Sequence, residues 1–110
     1  MQQGFIAEND TDNLGYPAGG TVVGTGFTIS WQRGPLGRGD DRLAPNGAFV
    51  EDVIQAAIQR IEHYNEAAFG QFSCAENTLA LANLRAAIKS LEARTARREQ
   101  QEVEGTHEGS

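Results

Sequence analysis

Lysine is almost missing from this chain of 110 residues, in which Lys89 stands beside eight arginines. A sequence that used positive charge only for solubility would be expected to contain more lysine. The guanidinium group is planar and weakly hydrated, and its forked donors match a phosphate or a carboxylate with two hydrogen bonds at once. The shortage of lysine therefore indicates that the arginines are candidates for binding an anion.

Cysteine and long apolar runs are also scarce. The single cysteine, Cys74, cannot form a disulfide within the chain, so nothing indicates an oxidising compartment. No apolar run approaches the roughly 20 residues of a membrane-spanning helix, and the N-terminal residues lack the layout of a signal peptide. We therefore expect a soluble protein of the cytoplasm.

Positive charge is missing from both flanks of the chain. All nine cations lie between Arg33 and Arg98, where they meet eight acids, so this stretch has a net charge of +1 although the whole chain carries −6. Proteins that track a nucleic-acid backbone usually carry a broad basic surface. The sequence therefore argues against extended nucleic acid and against any membrane surface as partners, but it is compatible with a small anionic ligand bound in the middle of the chain.

Groupings of catalytic or metal-binding residues are absent from the sequence. The two histidines, His63 and His107, lack the spacing of metal ligands, and no obvious base accompanies Cys74. The glycines of residues 34–39 lack the Lys-Ser/Thr ending of a phosphate-binding P-loop. We therefore expect no catalytic residue, no metal and no cofactor.

Residues Thr21 to Trp31 alternate between two faces, one apolar and one rich in glycine and small polar side chains. This alternation predicts a β-strand, and its bare glycine face indicates close approach of another backbone or a ligand. The strand needs a partner, and residues Gly4 to Ala7 are the best candidate.

The period changes to that of a helix from Ala48, with Asn46 as the predicted N-cap and the end near Asn65. Residues Ser73 to Glu76 have the form of a capping box and predict a second helix, running to roughly Gln100. The predicted apolar positions are Val50, Val53, Ile54, Ala57, Ile61 and Tyr64 in the first helix, and Leu81, Leu84, Ile88 and Leu91 in the second.

These patterns predict one α+β domain, a small N-terminal antiparallel β element followed by an antiparallel two-helix hairpin. We divide it into a polar segment at 1–20, a strand region at 21–32, an arginine-, glycine- and proline-rich loop at 33–47, the hairpin at 48–100 and an acidic tail at 101–110. A chain this short buries a modest share of its surface, so we expect it to be oligomeric.

Several longer motifs occur in an order that is familiar from one family. They are Phe27–Gln32, Gly34–Gly37, Asn46–Glu51, Cys74–Asn77, Arg94–Arg98 and Val103–His107. In these segments the chain resembles the phage Thoeris anti-defence protein family of the first type, over about residues 21–108. The helical hairpin also resembles that of the related phage sponge that disarms CBASS immunity.

The resemblance implies a protein that binds a ligand and does not cleave it. Members of the family act as sponges, which hold the cyclic ADP-ribose isomers made by bacterial immune TIR proteins intact and away from their effector. Some members also take up cyclic di- or trinucleotides at a separate site. The chain is thereby expected to block Thoeris immunity in the host cell cytoplasm, without enzyme activity.

The resemblance also implies individual site residues. By motif, Asn77, Arg94 and Arg98 correspond to contacts for the cyclic ADP-ribose signal. In the loop, Arg42 and Arg38 become candidates for the second, cyclic oligonucleotide site.

An aromatic side chain that stacks on adenine is expected near the turn between the helices. Tyr64, Phe72 and Phe69 are the alternatives there. We favour Tyr64, because its position at the end of the first helix can face the arginines of a partner.

The spacing of the implied contacts indicates how the site is assembled. Asn77 and Arg94 lie 17 residues apart on one helix, a rise of ~26 Å, which no dinucleotide-sized ligand bridges within one chain. If both contact one ligand, they come from different subunits of a homo-oligomer, either a dimer or a hexamer. The alternative is a small phage structural or adaptor protein whose hairpin only mediates oligomerisation.

Overall fold

The structure is a computed structural model that describes residues 2–37, 40 and 42–109, the last eight of them by their backbone only. The chain forms two compact units, Met1–Asp52 and Val53–Ser110. A three-stranded antiparallel sheet lies in the first unit and a pair of long helices follows it, which confirms the predicted α+β class.

The sheet consists of β1 (Phe5–Thr11), β2 (Pro17–Gly24) and β3 (Thr28–Trp31), in the order β1-β2-β3. The predicted partner segment is confirmed, since Phe5 pairs with Gly24 and Ala7 with Val22. Asp12 shapes the turn between β1 and β2, because its Oδ1 accepts hydrogen bonds of 2.9 Å from the backbone N–H groups of Leu14 and Tyr16.

The prediction of one continuous strand from Thr21 to Trp31 was wrong. The segment forms the end of β2, a tight turn and β3, and the Gly24 N–H donates to the Phe27 carbonyl across that turn at 2.9 Å. Across the two-residue turn at Thr25 and Gly26, Val22 pairs with Ile29 and Val23 with Thr28, so the two faces predicted from the alternation are interchanged after the turn. The apolar and polar residues still alternate along the sequence, which is why periodicity alone does not reveal the break.

Side chains of the chain itself fill the space beside Gly24 and Gly26, two members of the predicted glycine face. A Cβ at Gly24 would lie 2.5 Å from the Phe27 ring, and a Cβ at Gly26 would lie 2.9 Å from the amide of Gln3. A close backbone approach occurs instead at Gly20, whose φ of +140° points the missing Cβ at the carbonyl oxygen of Glu8.

Asn46 does not cap the first helix as predicted. Its side chain accepts from the Arg33 N–H at 2.8 Å and donates to the Arg33 carbonyl at 3.1 Å, and its own N–H donates to the Gln32 side chain at 2.9 Å. These bonds join the two ends of the predicted loop. The N-cap is Phe49, whose N–H donates to the Asp52 carboxylate at 2.8 Å.

The helices are α1 (Val50–Gly70) and α2 (Ala75–Gly109). The backbone of α1 leaves helical geometry at Ala67, Ala68 and Phe69. The Cys74 carbonyl accepts from the Thr78 N–H at 3.2 Å and is therefore the first helical acceptor of α2. Cys74 thus occupies the N-cap position that was predicted for Ser73, and α2 extends further than the predicted end near Gln100.

The core of the hairpin lies between α1 and α2. Ile58, Leu81 and Ile88 are buried, and Ile54, Ile61 and Leu84 pack against them. Of the predicted apolar positions of α2, Leu81, Leu84 and Ile88 contribute to this core, whereas Leu91 is half-buried outside it. In α1, Ile58 was missed, and the predicted Val50, Ala57 and Tyr64 are exposed. Among the described residues, no helix is both long enough and apolar enough to cross a membrane.

Two polar contacts show that the helices run antiparallel. Arg85 forms an ion pair of 3.2 Å with Glu62, and Asn77, nearer the start of α2, donates to Asn65, nearer the end of α1. The order of these contacts confirms the predicted hairpin.

Candidate functional site

The turn of the hairpin brings two of the predicted ligand contacts together. Asn77 lies in the first turn of α2, half-buried, and its Nδ2 donates to the Asn65 Oδ1 at 3.0 Å and to the Phe72 carbonyl at 3.3 Å. Asn77 therefore holds the connection between the helices in place. Phe72 is 59% exposed.

Tyr64 lies on the last regular turn of α1 and is 45% exposed. The guanidinium carbon of Arg60 is 5.1 Å from the ring centroid, and the Arg60 Nε donates to the Tyr64 Oη at 3.3 Å. A cation one helical turn away therefore covers one face of the ring and fixes its hydroxyl.

Phe69 is the most exposed aromatic side chain, at 108% of its reference area. The backbone there is left-handed at three successive residues, with φ of 51° at Ala68, 58° at Phe69 and 83° at Gly70. Positive φ is uncommon for residues with a side chain, and such geometry recurs at functional sites. The sign of this geometry in the sequence is Gly70, because glycine readily adopts positive φ. Ala68 and Phe69 rarely adopt it, so they gave no such sign.

Arg94 and Arg98 lie one turn apart on the exposed part of α2 that follows the core. Neither guanidinium pairs with another residue of the described part of the chain. The rise of ~26 Å between Asn77 and Arg94 keeps both arginines away from the hairpin turn of the same chain. Within one chain, the implied contacts thus form two separate groups.

A backbone hydrogen bond joins two described residues of the loop between the sheet and α1. The Leu43 N–H donates to the Leu36 carbonyl at 2.6 Å, and Arg42, the candidate for the second site, is exposed beside it. Arg38, the other candidate, lies outside the described residues. Arg33 has a structural role, since it donates to the Asp10 carboxylate at 2.9 Å and to the Ala18 carbonyl at 3.2 Å.

The described residues contain no cluster of potential metal ligands. Within the described ranges, no three His, Cys, Asp or Glu side chains lie close enough together to hold a metal ion.

The three-stranded sheet and the long helical hairpin that follows it place the chain in a class of small α+β proteins built around a helical hairpin domain. Residues 26–96 match the family described as the Acb2/Tad1 hairpin domain, and the chain belongs to this family. The resemblance expected from the motifs is thereby confirmed.

A relative from Bacillus phage SBSphiJ7, called "Thoeris anti-defense 1", is 38% identical over 81 residues. The match covers 74% of this chain and 52% of the relative, so the chain spans about half the length of the relative that it matches.

Proposed function

We propose that this protein is a phage anti-defence sponge that binds cyclic ADP-ribose signals, keeps them intact and so blocks Thoeris immunity in the host cell cytoplasm. The observation that carries the proposal is the match of residues 26–96 to the Acb2/Tad1 hairpin domain. The name of the phage relative, "Thoeris anti-defense 1", agrees with the same role.

The arginine pair on α2 supports an anionic ligand. Arg94 and Arg98 present two forked donors from one face of the helix, and no described residue neutralises either of them. A diphosphate accepts two hydrogen bonds from each guanidinium, which a single ammonium group does not match in geometry.

The two groups of implied contacts form one pocket when α2 pairs antiparallel with α2 of a second subunit. In this arrangement Asn77, with Tyr64 or Phe72 beside it, comes from one subunit, and Arg94 and Arg98 come from the other. A dimer then contains two equivalent pockets. A hexamer contains three such dimers.

The exposed loop supplies a separate place for a second anion. Arg42 is exposed and directly precedes Leu43, whose N–H donates to the Leu36 carbonyl. We assign cyclic di- or trinucleotides to this place, with Arg38 as a further contact.

The test is to purify the protein from bacteria that are producing the Thoeris signal. A sponge carries ultraviolet absorbance at the adenine maximum, which denaturation releases, and the released nucleotide has the mass of the signal that was produced. Absence of bound nucleotide would instead favour the adaptor interpretation, in which arginines only pair with acids, as Arg85 does with Glu62. A nucleotide of altered mass would show that the protein is an enzyme.

A further inference from the structure

Hydrogen bonds to neighbouring residues fix the orientation of the Asn77 side-chain amide. An asparagine side chain has two N–H donors on Nδ2 and an acceptor oxygen, Oδ1. Both donors of Asn77 are engaged, one with the Asn65 Oδ1 at 3.0 Å and the other with the Phe72 carbonyl at 3.3 Å. Its Oδ1 has no partner among the described residues.

We propose that Asn65 is a positioning residue that, together with the Phe72 carbonyl, holds Asn77 as a hydrogen-bond acceptor, so that Asn77 selects a donor group of the ligand and does not contact its phosphates. This inference rests on the proposed function. It adds the chemical group that Asn77 recognises and a residue that the family resemblance did not indicate.

The geometry carries the inference because a free amide and a fixed amide select different ligand groups. A free asparagine rotates by half a turn and presents either its NH₂ group or its oxygen. Rotating the amide of Asn77 would place its oxygen against the Phe72 carbonyl, which can only accept, and would leave that carbonyl without this donor. The Asn65 oxygen, part-buried in the same contact, is the second acceptor that holds the Asn77 Nδ2 in place. The observed orientation is therefore the one that the turn enforces.

The sources of a donor in an adenine nucleotide are the exocyclic amine of the base and the ribose hydroxyl groups. Phosphate oxygens are acceptors and would meet the Asn77 oxygen with like partial charge. In this arrangement the arginines bind the diphosphate, and Asn77 binds the nucleoside. A site that hydrogen-bonds a particular ligand group rejects analogues that lack it, because its own polar atom is left unpaired.

The experiment measures the binding of the wild-type protein to a panel of cyclic ADP-ribose isomers by calorimetry, then to two analogues of the tightest-binding isomer. One analogue carries hypoxanthine in place of adenine, which replaces the amine with a carbonyl oxygen. The other lacks the free ribose hydroxyl. We expect one of the two to bind roughly tenfold more weakly, and the one that does so identifies the donor. Equal affinity for the parent and both analogues would overturn the inference.

The second arm tests Asn65 by the same discrimination. In Asn65→Ala, one of the two acceptors that hold the Asn77 Nδ2 is lost and only the Phe72 carbonyl remains, so Asn77 is held less firmly and the ratio between parent and analogue affinities should fall below its wild-type value. In Asn65→Asp, an acceptor oxygen remains opposite the Asn77 Nδ2, so the ratio should stay at the wild-type value even where the added charge lowers both affinities. A residue with a merely structural role would weaken parent and analogue equally in Asn65→Ala, and that result would also overturn the inference.

Two controls separate the possible failures. Gln71→Ala removes an exposed amide from the same turn and should change neither affinity nor discrimination. If wild-type protein binds no isomer at all, the proposed function fails before Asn65 is tested. If Asn65→Ala does not fold, as judged by circular dichroism, the wild-type analogue comparison and Asn65→Asp still decide the question.

Discussion

At the scale of single residues, the described arginines include some that hold the fold and some that have no partner in the described part of the chain. Arg33 pairs with Asp10 and Arg85 with Glu62, and the side chains of both pairs are about half-exposed. Exposed ion pairs of this kind contribute about 0–1 kcal/mol to stability. These two arginines therefore mainly fix positions, whereas Arg94 and Arg98 keep their full capacity for a ligand.

Replacing Arg94 or Arg98 by alanine should weaken binding of a cyclic ADP-ribose signal by roughly 2–4 kcal/mol, because a charged donor is lost from a phosphate that stays bound. Lysine at either position should recover the charge and only part of the affinity, since the forked geometry is lost. Titration calorimetry measures all four variants.

Lys89→Ala is the matched control for this pair, since it removes an exposed cation from a different face of α2. Its affinity should remain at the wild-type value. Wild-type affinity in both Arg94→Ala and Arg98→Ala would show that the proposed site is wrong. Arg42→Ala should also bind the cyclic ADP-ribose signal normally, because its loop is assigned to a separate site.

Tyr64→Ala should cost ~1–3 kcal/mol of binding if adenine stacks on this ring. Arg60 covers one face of the ring, with its guanidinium carbon 5.1 Å from the centroid, and a base would stack on the other face. Tyr64→Phe keeps the ring and should bind like wild type. Full affinity in Tyr64→Ala would move the role to Phe69 or Phe72, whose alanine variants belong in the same calorimetric series.

At the scale of elements, one isoleucine of α1 links it to α2. Ile58 is 5% exposed and packs with Leu81 and Ile88. We expect Ile58→Ala to lower the free energy of unfolding by about 2–5 kcal/mol, because the small core cannot close around the cavity. Thermal or urea denaturation measures this loss.

Val50→Ala is the comparison, since Val50 is an apolar residue of the same helix that is 47% exposed. Its effect should stay within about 0.5 kcal/mol. Equal losses in the two variants would show that Ile58 is not in the core of the folded protein in solution.

Hydrogen bonds of Asn46 to Gln32 and Arg33 hold together the two ends of the loop between β3 and α1. Asn46→Ala should cost about 1 kcal/mol of stability, because two hydrogen bonds to the Arg33 backbone are lost at an exposed position. It should also accelerate hydrogen exchange of the Arg33 N–H. Asn46→Asp keeps the acceptor oxygen and should retain slow exchange of the Arg33 N–H. Fast exchange of this group in the wild-type protein would contradict its hydrogen bond to Asn46.

At the scale of the whole molecule, the buried core of the described residues is small. Three hydrophobic side chains are buried, while Phe5, Ile6, Leu14 and Tyr16 are each at least 60% exposed. A single chain with so few buried side chains has little apolar burial to offset its conformational entropy. Association with further copies would cover more of this surface.

We therefore predict at least a dimer at micromolar concentration, measured by light scattering, with a melting temperature that rises with protein concentration. A monomer under these conditions would contradict both the assembly and the shared pocket.

Mixing two inactive variants tests the shared pocket directly. When Asn77→Ala and Arg94→Ala subunits exchange, a mixed dimer has one pocket without either side chain and one pocket with both. Random mixing should therefore restore about a quarter of the pockets. No recovery after exchange, with mixed dimers verified by native mass spectrometry, would place Asn77 and Arg94 in different sites.

Local patterns in the sequence were sufficient for the element types, the hairpin and the family. Alternation indicated the β element, and the spacing of Leu81, Leu84 and Ile88 indicated a helix with one apolar face. These signals are readable because each depends on neighbours within one element, where the period of the backbone sets which side chains share a face. The motifs that indicated the family lie on the same elements.

Contacts between segments distant along the chain decided the rest. Ala57 and Ile58 are adjacent on α1 and both border its apolar face, so only the position of α2 shows that Ile58 is the buried residue. Asn46 has the chemistry of an N-cap, but Gln32 and Arg33, 13 to 14 residues earlier, engage its side chain and backbone. The orientation of Asn77 likewise follows from the Phe72 carbonyl in the turn and from Asn65 on the opposite helix. A hydrogen-bonding group takes the partner that the fold brings to it, and that choice is absent from the local pattern.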